Sequence, residues 1–174
     1  MVFKWSTASR RWSSHQIFKW CRCRQEWYLN GKRHREDGPA ITDRNGGQEW
    51  YLNGERHREY GPAIKNGDGH QWNIHGVIHR QDGPAIQTTN GSQLWYVNGL
   101  VHRENGPAAI FADGRKEWRK NGRLHRENGP AVTYQNSAVI GNEWWENGIK
   151  IEKIEDEPRR KVVNKRKREN PKGF

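Results

Sequence analysis

Polar and apolar residues alternate in short runs along residues 25–149, and each run ends at a turn signal. The run EWYL, which begins at Glu26, is rich in strand-forming aromatic residues and stops at Asn30-Gly31, a dipeptide that accepts positive φ. A second run begins at Pro39. Proline cannot donate a ladder hydrogen bond, so Pro39 is expected at the start of its strand or at a sheet edge. The pattern therefore predicts pairs of short antiparallel strands and disfavours helix.

This pattern is repeated along the chain with an almost constant step. The copies read QEWYLNGKRHREDGPAI from Gln25, QEWYLNGERHREYGPAI from Gln48, QWNIHGVIHRQDGPAI from Gln71, QLWYVNGLVHRENGPAA from Gln93 and KEWRKNGRLHRENGPAV from Lys116. Successive His-Arg pairs are 22 or 23 residues apart, and a sixth copy, NEWWENGIK from Asn142, stops halfway. Such a period predicts one structural unit stacked on copies of itself. We expect an all-β chain, an elongated single-layer antiparallel sheet of tandem β-hairpins, roughly 55–60 Å long at about 4.8 Å per strand.

The period of two also assigns the side chains of each unit to two faces of the predicted sheet. One face carries a ladder of tryptophans, which we interpret as the core: Trp27, Trp50, Trp72, Trp95, Trp118 and Trp144. A platform on which bases stack is the alternative interpretation of the ladder. The opposite face is a candidate surface for a protein partner, through Tyr28, Tyr51, Tyr96 and Arg119. Because a ladder on a single layer needs to be covered, a homodimer is expected.

The units, written WYLNG-x-x-HRE-x-GPA, resemble a variant of the MORN-type (membrane occupation and recognition nexus) repeat. Copies that end in HRE-x-GPA also resemble repeat proteins of large DNA viruses. The resemblance covers residues 25–149 and implies successive β-hairpins that serve as a scaffold or interaction module, several of which self-associate. The usual MORN pattern has Tyr-x-Gly-x-Trp before its turn, whereas Trp-Tyr-x-Asn-Gly stands here. The lipid binding of some MORN proteins is therefore not carried over, and a membrane partner is not expected.

The His-Arg-Glu element contains residue types that bind metals or catalyse reactions, but its spacing argues against both roles. Equivalent residues of successive units are two strands apart, about 9–10 Å, whereas nitrogens that share one zinc are within about 4 Å of each other. We expect each histidine to bond backbone near an Asn-Gly or Asp-Gly turn, and each arginine to pair with a neighbouring glutamate. An arginine row that binds phosphate or carboxylate groups remains the alternative.

No enzyme signature is found, so no catalytic residue, metal or cofactor is predicted. Nucleophile elbow, phosphate-cradling loop and HExxH motifs are all missing from the sequence. Cys21 and Cys23 are expected to be reduced thiols, since one intervening residue makes a strained disulfide. A metal bound by this pair together with His15 is the weaker alternative.

Composition places the chain outside the ordinary classes. Of 174 residues only 32% are apolar, yet ten are tryptophan, so a few large aromatic residues are expected to form the core. The sequence has no run of about 18 apolar residues that would span a membrane, and its opening residues lack the apolar stretch of a signal peptide. An intracellular protein that is not secreted is expected.

The formal charge of +11 comes from the two ends of the chain. Residues 25–149 contain 15 basic and 15 acidic residues. Residues 1–24 contribute +6 and residues 150–174 contribute +5. We divide the chain accordingly into a basic, aromatic N-terminal segment (1–24), a repeat domain (25–149) and an acidic, then basic tail (150–174). The N-terminal segment is expected to cap the open sheet edge, with binding of nucleic acid or an anionic surface as the alternative.

The tail carries the strongest functional signal. Its cations are predicted to bind nucleic acid: Arg159, Arg160, Lys161, Lys165, Arg166, Lys167, Arg168 and Lys172. The same spacing resembles a bipartite nuclear-localisation signal, and a merely solubilising tail is a further alternative.

These features predict a non-enzymatic repeat scaffold that associates with DNA or RNA through its basic termini, largely without sequence specificity. The alternative is a protein-binding adaptor whose sheet face recognises a partner and whose tail is a nuclear-localisation signal. Either function would place the protein in a nucleus, or in a viral factory or virion if the chain is viral.

Overall fold

The computed structural model describes residues 10–13, 16–21, 24–135 and 141–152. Across these residues the chain forms 23 short strands and no helix, and every strand pairing is antiparallel. The predicted all-β class and the repeated hairpins are therefore confirmed. The acidic, then basic tail from residue 153 onward and the first nine residues lie outside the described part.

The largest element is a 13-stranded sheet whose strand order follows the chain. Two strands of each unit cross it as a hairpin, so the sheet grows by one hairpin per repeat. Twelve strands form its path, and β4 pairs with β3 beside it. The strands are β1 (Arg10–Ser13), β2 (Gln16–Cys21), β3 (Arg24–Leu29), β4 (Lys32–Arg33), β5 (Ile41–Asp43), β6 (Gln48–Glu49), β9 (Ile64–Asn66), β10 (Gly69–Gln71), β13 (Ile86–Thr88), β14 (Gln93–Leu94), β17 (Ala109–Ile110), β18 (Lys116–Glu117) and β21 (Val132–Thr133).

A second series of hairpins accompanies this sheet, one hairpin per unit. The first is formed by the end of β3 with β4, and the following five are separate two-stranded sheets. Their strands are β7 (Tyr51–Leu52) with β8 (Glu55–Arg56), β11 (Asn73–Ile74) with β12 (Val77–Ile78), β15 (Tyr96–Val97) with β16 (Leu100–Val101), β19 (Arg119–Lys120) with β20 (Arg123–Leu124), and β22 (Trp144–Glu146) with β23 (Ile149–Ile151). We call these six hairpins the side hairpins and number them by unit, one to six.

The side hairpins turn at the Asn-Gly pairs that the sequence singles out. The first turn residue has φ of about 50° in every unit, for example Asn53 at 53°, and the glycine after it is also left-handed. Positive φ at both central residues is the geometry of a tight hairpin turn whose twist matches its strands. In the third unit His75 takes the asparagine position at 47°.

In units two to five the tryptophan divides the main sheet from the side hairpin, which the prediction of one uniform sheet did not contain. In unit one β3 runs through Trp27, and in unit six Trp144 begins the side hairpin. In the second unit Trp50 N–H donates to the Ala63 carbonyl at 2.8 Å, and the Trp50 carbonyl accepts from His57 N–H at 3.1 Å. Both backbone groups of Trp50 are thus paired within its own unit. The strand that starts at Gln48 is interrupted at this residue, and Tyr51 begins a new two-stranded ladder.

The core is formed mainly by small residues. The alanine of each GPA segment is completely buried, and these residues are Ala40, Ala63, Ala85, Ala108 and Ala131. The tryptophans of the units are only half-buried. The interpretation of the ladder as the core therefore needs correction: the alanines, together with Ile41, Tyr51 and Val132, are buried, and the tryptophans keep part of their surface exposed.

Candidate functional site

Each tryptophan ring is covered by the arginine of its own unit. The guanidinium carbon lies 3.9–4.2 Å from the ring centroid in all five full units. The pairs are Trp27 with Arg35, Trp50 with Arg58, Trp72 with Arg80, Trp95 with Arg103, and Trp118 with Arg126. A planar guanidinium stacked on an aromatic face is held by cation–π attraction and dispersion. Since these faces are occupied, the ladder is not an open platform for stacking bases.

The rest of the HRE-x-GPA segment holds this arginine in place. In the fourth unit Arg103 donates to the Pro107 carbonyl at 3.2 Å, and the other four full units repeat this bond at 3.1–3.3 Å. The glycine before the proline leaves room for the guanidinium: a Cβ placed on Gly83 would lie 3.0 Å from the Arg80 guanidinium carbon. The arginine is thus enclosed between ring and backbone.

The sequence predicted that each of these arginines pairs with a neighbouring glutamate. In the described residues the arginines do not pair with the glutamate that follows them. Where they reach a carboxylate it is the aspartate two residues on, at 2.8 Å for Arg35 with Asp37 and 2.9 Å for Arg80 with Asp82. The hydrogen bond from the guanidinium lowers the pKa of each of these aspartates below its ordinary value of 3.8. With their guanidinium groups committed within the unit, the five arginines make a poor row for phosphate.

The histidines join each unit to the next. Nδ1 of His34, His57, His79, His102 and His125 accepts the backbone N–H of the first turn residue of the following unit at 3.0–3.2 Å. Because Nδ1 accepts, the ring proton is assigned to Nε2, and in His102 this nitrogen lies 2.8 Å from the Glu104 carboxylate. The expected histidine-to-turn hydrogen bond is confirmed, and it is a structural bond between units.

The predicted partner surface is not an open face. Tyr51 is 7% exposed and forms a buried cluster with Ala40 and Ile41, so it cannot contact a partner without leaving the core. Tyr28, Tyr96 and Arg119 are half-buried. The Tyr28 hydroxyl donates to Glu26 at 2.6 Å, which raises the pKa of Tyr28. Arg119 is bonded to the buried Glu117 at 2.7 Å and to the Gly122 carbonyl at 2.8 Å. This row faces inward because the side hairpins turn it toward the neighbouring unit.

The opposite surface of the side hairpins is open, and the sequence reasoning missed it. The two residues that flank each turn point away from the core, and each unit contributes one such pair. We call this surface the outer hairpin face; it consists of Leu29 and Lys32, Leu52 and Glu55, Ile74 and Val77, Val97 and Leu100, Lys120 and Arg123, and Glu146 and Ile149. Val77, Val97 and Leu100 are 38–49% exposed. The signal was available in the sequence, since these are the residues on either side of each Asn-Gly turn.

The described residues were also compared with the requirements of a metal or acid–base site. They contain no group of three or more histidine, cysteine or acidic side chains placed to hold a metal ion. A depression of about 450 Å³ is lined by Asn90, Phe111, Lys116, Tyr134 and neighbouring residues. Its lining includes one cation, Lys116, and no carboxylate that could act with it as an acid–base pair. Nor does the described part contain a helix that is long and apolar enough to cross a membrane.

Two sets of predicted residues are not placed. The eight tail cations from Arg159 to Lys172 lie outside the described residues, as does the side-chain environment of Cys21, Cys23 and His15. Their proposed roles therefore stay predictions.

The contacts above define the class of this chain: it is a tandem β-hairpin repeat protein. Comparison with protein-family models, curated proteins and solved structures finds no match. The resemblance to MORN-type repeats and to viral repeat proteins accordingly stays a prediction, and any function must be argued from this chain's own residues.

Proposed function

We propose that this protein is a non-enzymatic scaffold that associates with nucleic acid through its basic ends. The observation that carries the proposal is the separation of charge: residues 25–149 are neutral, and the whole net charge of +11 lies in residues 1–24 and 150–174. Eight of the fourteen residues from 159 to 172 are lysine or arginine. A segment of this density attracts phosphates without reading sequence, and its binding weakens steeply with salt.

The contacts of the repeat domain support the ends as the binding elements. Five of its arginines are stacked on tryptophan, and others are paired with carboxylates, such as Arg115 with Glu117 at 2.6 Å. Equal numbers of acidic residues neutralise the remaining cations. The domain thus offers a regular support, whereas the ends offer an excess of cations for a polyanion.

A matched pair of variants tests this proposal. One replaces three tail cations, Arg166, Lys167 and Arg168, with glutamine. The other replaces Arg44, Lys65 and Lys116, three exposed cations of the main sheet and its turns, and so changes the net charge equally. Binding to labelled duplex DNA, single-stranded DNA and RNA is measured by fluorescence anisotropy at about 50 and 200 mM salt.

If the tail is the binding element, only the tail variant weakens binding, and its salt dependence on duplex DNA falls by about 0.9 in log–log slope for each lost phosphate contact. Equal weakening in both variants would reduce the interaction to net charge. No binding by the full chain at low salt would overturn the proposal and favour the adaptor whose tail is a nuclear-localisation signal.

A further inference from the structure

The outer hairpin face is a continuous strip that runs through all six units. From unit two onward, each turn glycine lies against a side chain of this strip in the preceding unit: a Cβ on Gly54 would be 3.5 Å from Lys32, and one on Gly99 would be 3.2 Å from Val77. The same turns are joined through the backbone, as by Gly99 N–H to the Ile78 carbonyl at 2.9 Å. The six hairpins therefore present their outer residues in sequence order, about two strand spacings apart.

The charged side chains of the strip have no partner within the described part of the chain. Lys32, Glu55, Lys120, Arg123 and Glu146 are exposed, and their side chains form no ion pair or hydrogen bond with any residue that the structure describes. On the inner side of the same hairpins carboxylates and arginines are paired, as Glu49 is with Arg56 at 3.2 Å. The strip thus combines unpaired charge with exposed apolar surface.

The residues of the strip change in a definite order along the array. Units three and four are entirely aliphatic, with Ile74 and Val77 followed by Val97 and Leu100. Unit two is acidic at Glu55, and unit five is basic at Lys120 and Arg123. Unit one carries a leucine and a lysine, and unit six carries a glutamate and an isoleucine. When the six units are set against the same units in reverse order, the aliphatic units three and four meet each other. The acidic unit two then meets the basic unit five, and the lysine of unit one meets the glutamate of unit six.

We propose that the outer hairpin face binds a second copy of this chain, antiparallel, around a two-fold axis between units three and four. This axis places unit one against unit six, unit two against unit five, and unit three against unit four. The interface is isologous, so every contact occurs twice.

The two-fold operation also determines which residues meet. Reversing the array places the first strand of one hairpin opposite the second strand of its partner. Glu55 then faces the partner's Lys120, and Lys32 faces the partner's Glu146. At the centre Ile74 faces the partner's Leu100, and Val77 faces the partner's Val97.

At the ends Leu29 faces the partner's Ile149, which at 72% exposure is among the most exposed large apolar residues described. Leu52 faces the partner's Arg123, whose aliphatic stem covers it while the guanidinium reaches the adjacent Glu55. Apolar residues thus lie at the centre of the strip, with opposite charges on both sides, as in protein interfaces with a hydrophobic core and a polar rim. No other register of the reversed strip places both the aliphatic units and the charges on complementary partners.

Charge reversal tests both the surface and the orientation. Glu55→Lys places like charges opposite each other at two symmetric sites, and Lys120→Glu does the same. Each single variant of the full chain is expected to dimerise about tenfold or more weakly in sedimentation equilibrium. An equimolar mixture of the two is expected to form a heterodimer, because both of its contacts join opposite charges.

The matched control is Glu59→Lys, an equal charge change at an exposed residue of the same unit that is not on the strip. It is expected to dimerise like the parent. Val77→Asp alters the apolar centre at a residue that is 44% exposed, so the fold is retained while dimerisation is lost.

Several results would overturn the proposal. They are a parent chain that stays monomeric up to about 100 µM, a dimer unaffected by Glu55→Lys and Val77→Asp, or single variants that do not associate when mixed. Nucleic-acid binding is measured separately, so its failure leaves this test unchanged.

Discussion

At the residue scale, each position of the repeated segment has one physical task. Tryptophan supplies a ring and the hydrogen bonds that separate sheet from hairpin, and arginine covers the ring. Glycine leaves space for the guanidinium, proline accepts from it, and alanine is completely buried. A substitution at any one of these positions therefore disturbs the others in its own unit first.

Arg103→Lys tests the stack on Trp95. The ammonium keeps the charge but loses the planar contact at 4.0 Å, so we expect the free energy of unfolding to fall by about 1 kcal/mol. Urea denaturation followed by tryptophan fluorescence measures the change. Arg44→Lys is the control, since Arg44 is exposed and lies over no ring in the described part of the chain. An equal effect in both variants would contradict a stabilising stack.

Asp37 and Asp82 give a pH dependence of known sign. Hydrogen bonds from Arg35 and Arg80 lower the pKa of both carboxyls below 3.8, so the unfolded chain binds more protons in that range. Their contribution to stability is complete above pH 3.8 and is lost as the pH falls through the lowered pKa values. In the double variant Asp37→Asn, Asp82→Asn, the stability difference from the parent should disappear on acidification. A difference that persists or grows in acid would exclude this origin.

At the scale of the element, the side hairpins of neighbouring units are joined by few hydrogen bonds. The main sheet continues from unit to unit, while the side hairpins are connected by the turn glycine N–H, the histidine Nδ1 and one further backbone bond. The histidines, each two residues after the second strip residue of its unit, therefore hold the outer hairpin face in register.

His102→Ala tests the bond between units four and five. Loss of the acceptor for the Asn121 N–H, at 3.0 Å, should reduce stability by about 1 kcal/mol and speed hydrogen exchange at the Asn121 amide in particular. His70→Ala is the control, because the His70 ring lies beside Trp72 and outside the histidine row. Unchanged exchange at Asn121 would show that the bond does not restrain the turn.

At the scale of the whole molecule, the order of the units determines more than their number. The units share one fold, but they place different residues on the outer hairpin face, so the units are not equivalent. In an antiparallel dimer, unit six of one copy, which leads to the basic tail, lies beside unit one of the partner. The dimer would then carry basic chain at both ends.

Deletion of single units tests this order. Removal of residues 70–92 deletes unit three. In the reversed array unit four then faces unit four of the partner, and the charged units still face opposite charges. Dimerisation is therefore expected to persist. Removing residues 48–69 takes out unit two and sets the aliphatic unit three against the basic unit five, so dimerisation should weaken about tenfold or more. Circular dichroism checks that both remain β, and sedimentation gives the association. Equal dimerisation of the two deletions would contradict the antiparallel register.

Local chemistry made part of this structure predictable. The alternation, the Asn-Gly turns and the constant step determine hairpins, their repetition and the antiparallel class, because each depends on residues only a few positions apart. The second hairpin of each unit was not predicted. The bond from histidine to a turn was predictable for a similar reason: a row of equally spaced imidazoles is too widely spaced for a metal and close to backbone donors.

Only the tertiary structure decided which face is covered. Trp95 and Arg103 are eight residues apart and meet because the hairpin folds back, which a period of two does not encode. The alternation shows that Tyr51 and Leu52 lie on opposite faces, but burial of Tyr51 against Ala40 and Ile41 depends on the preceding unit. The sequence by itself determined the unit and its repetition. The packing of one unit on the next decided that alanines form the core and that the residues flanking the turns form the open surface.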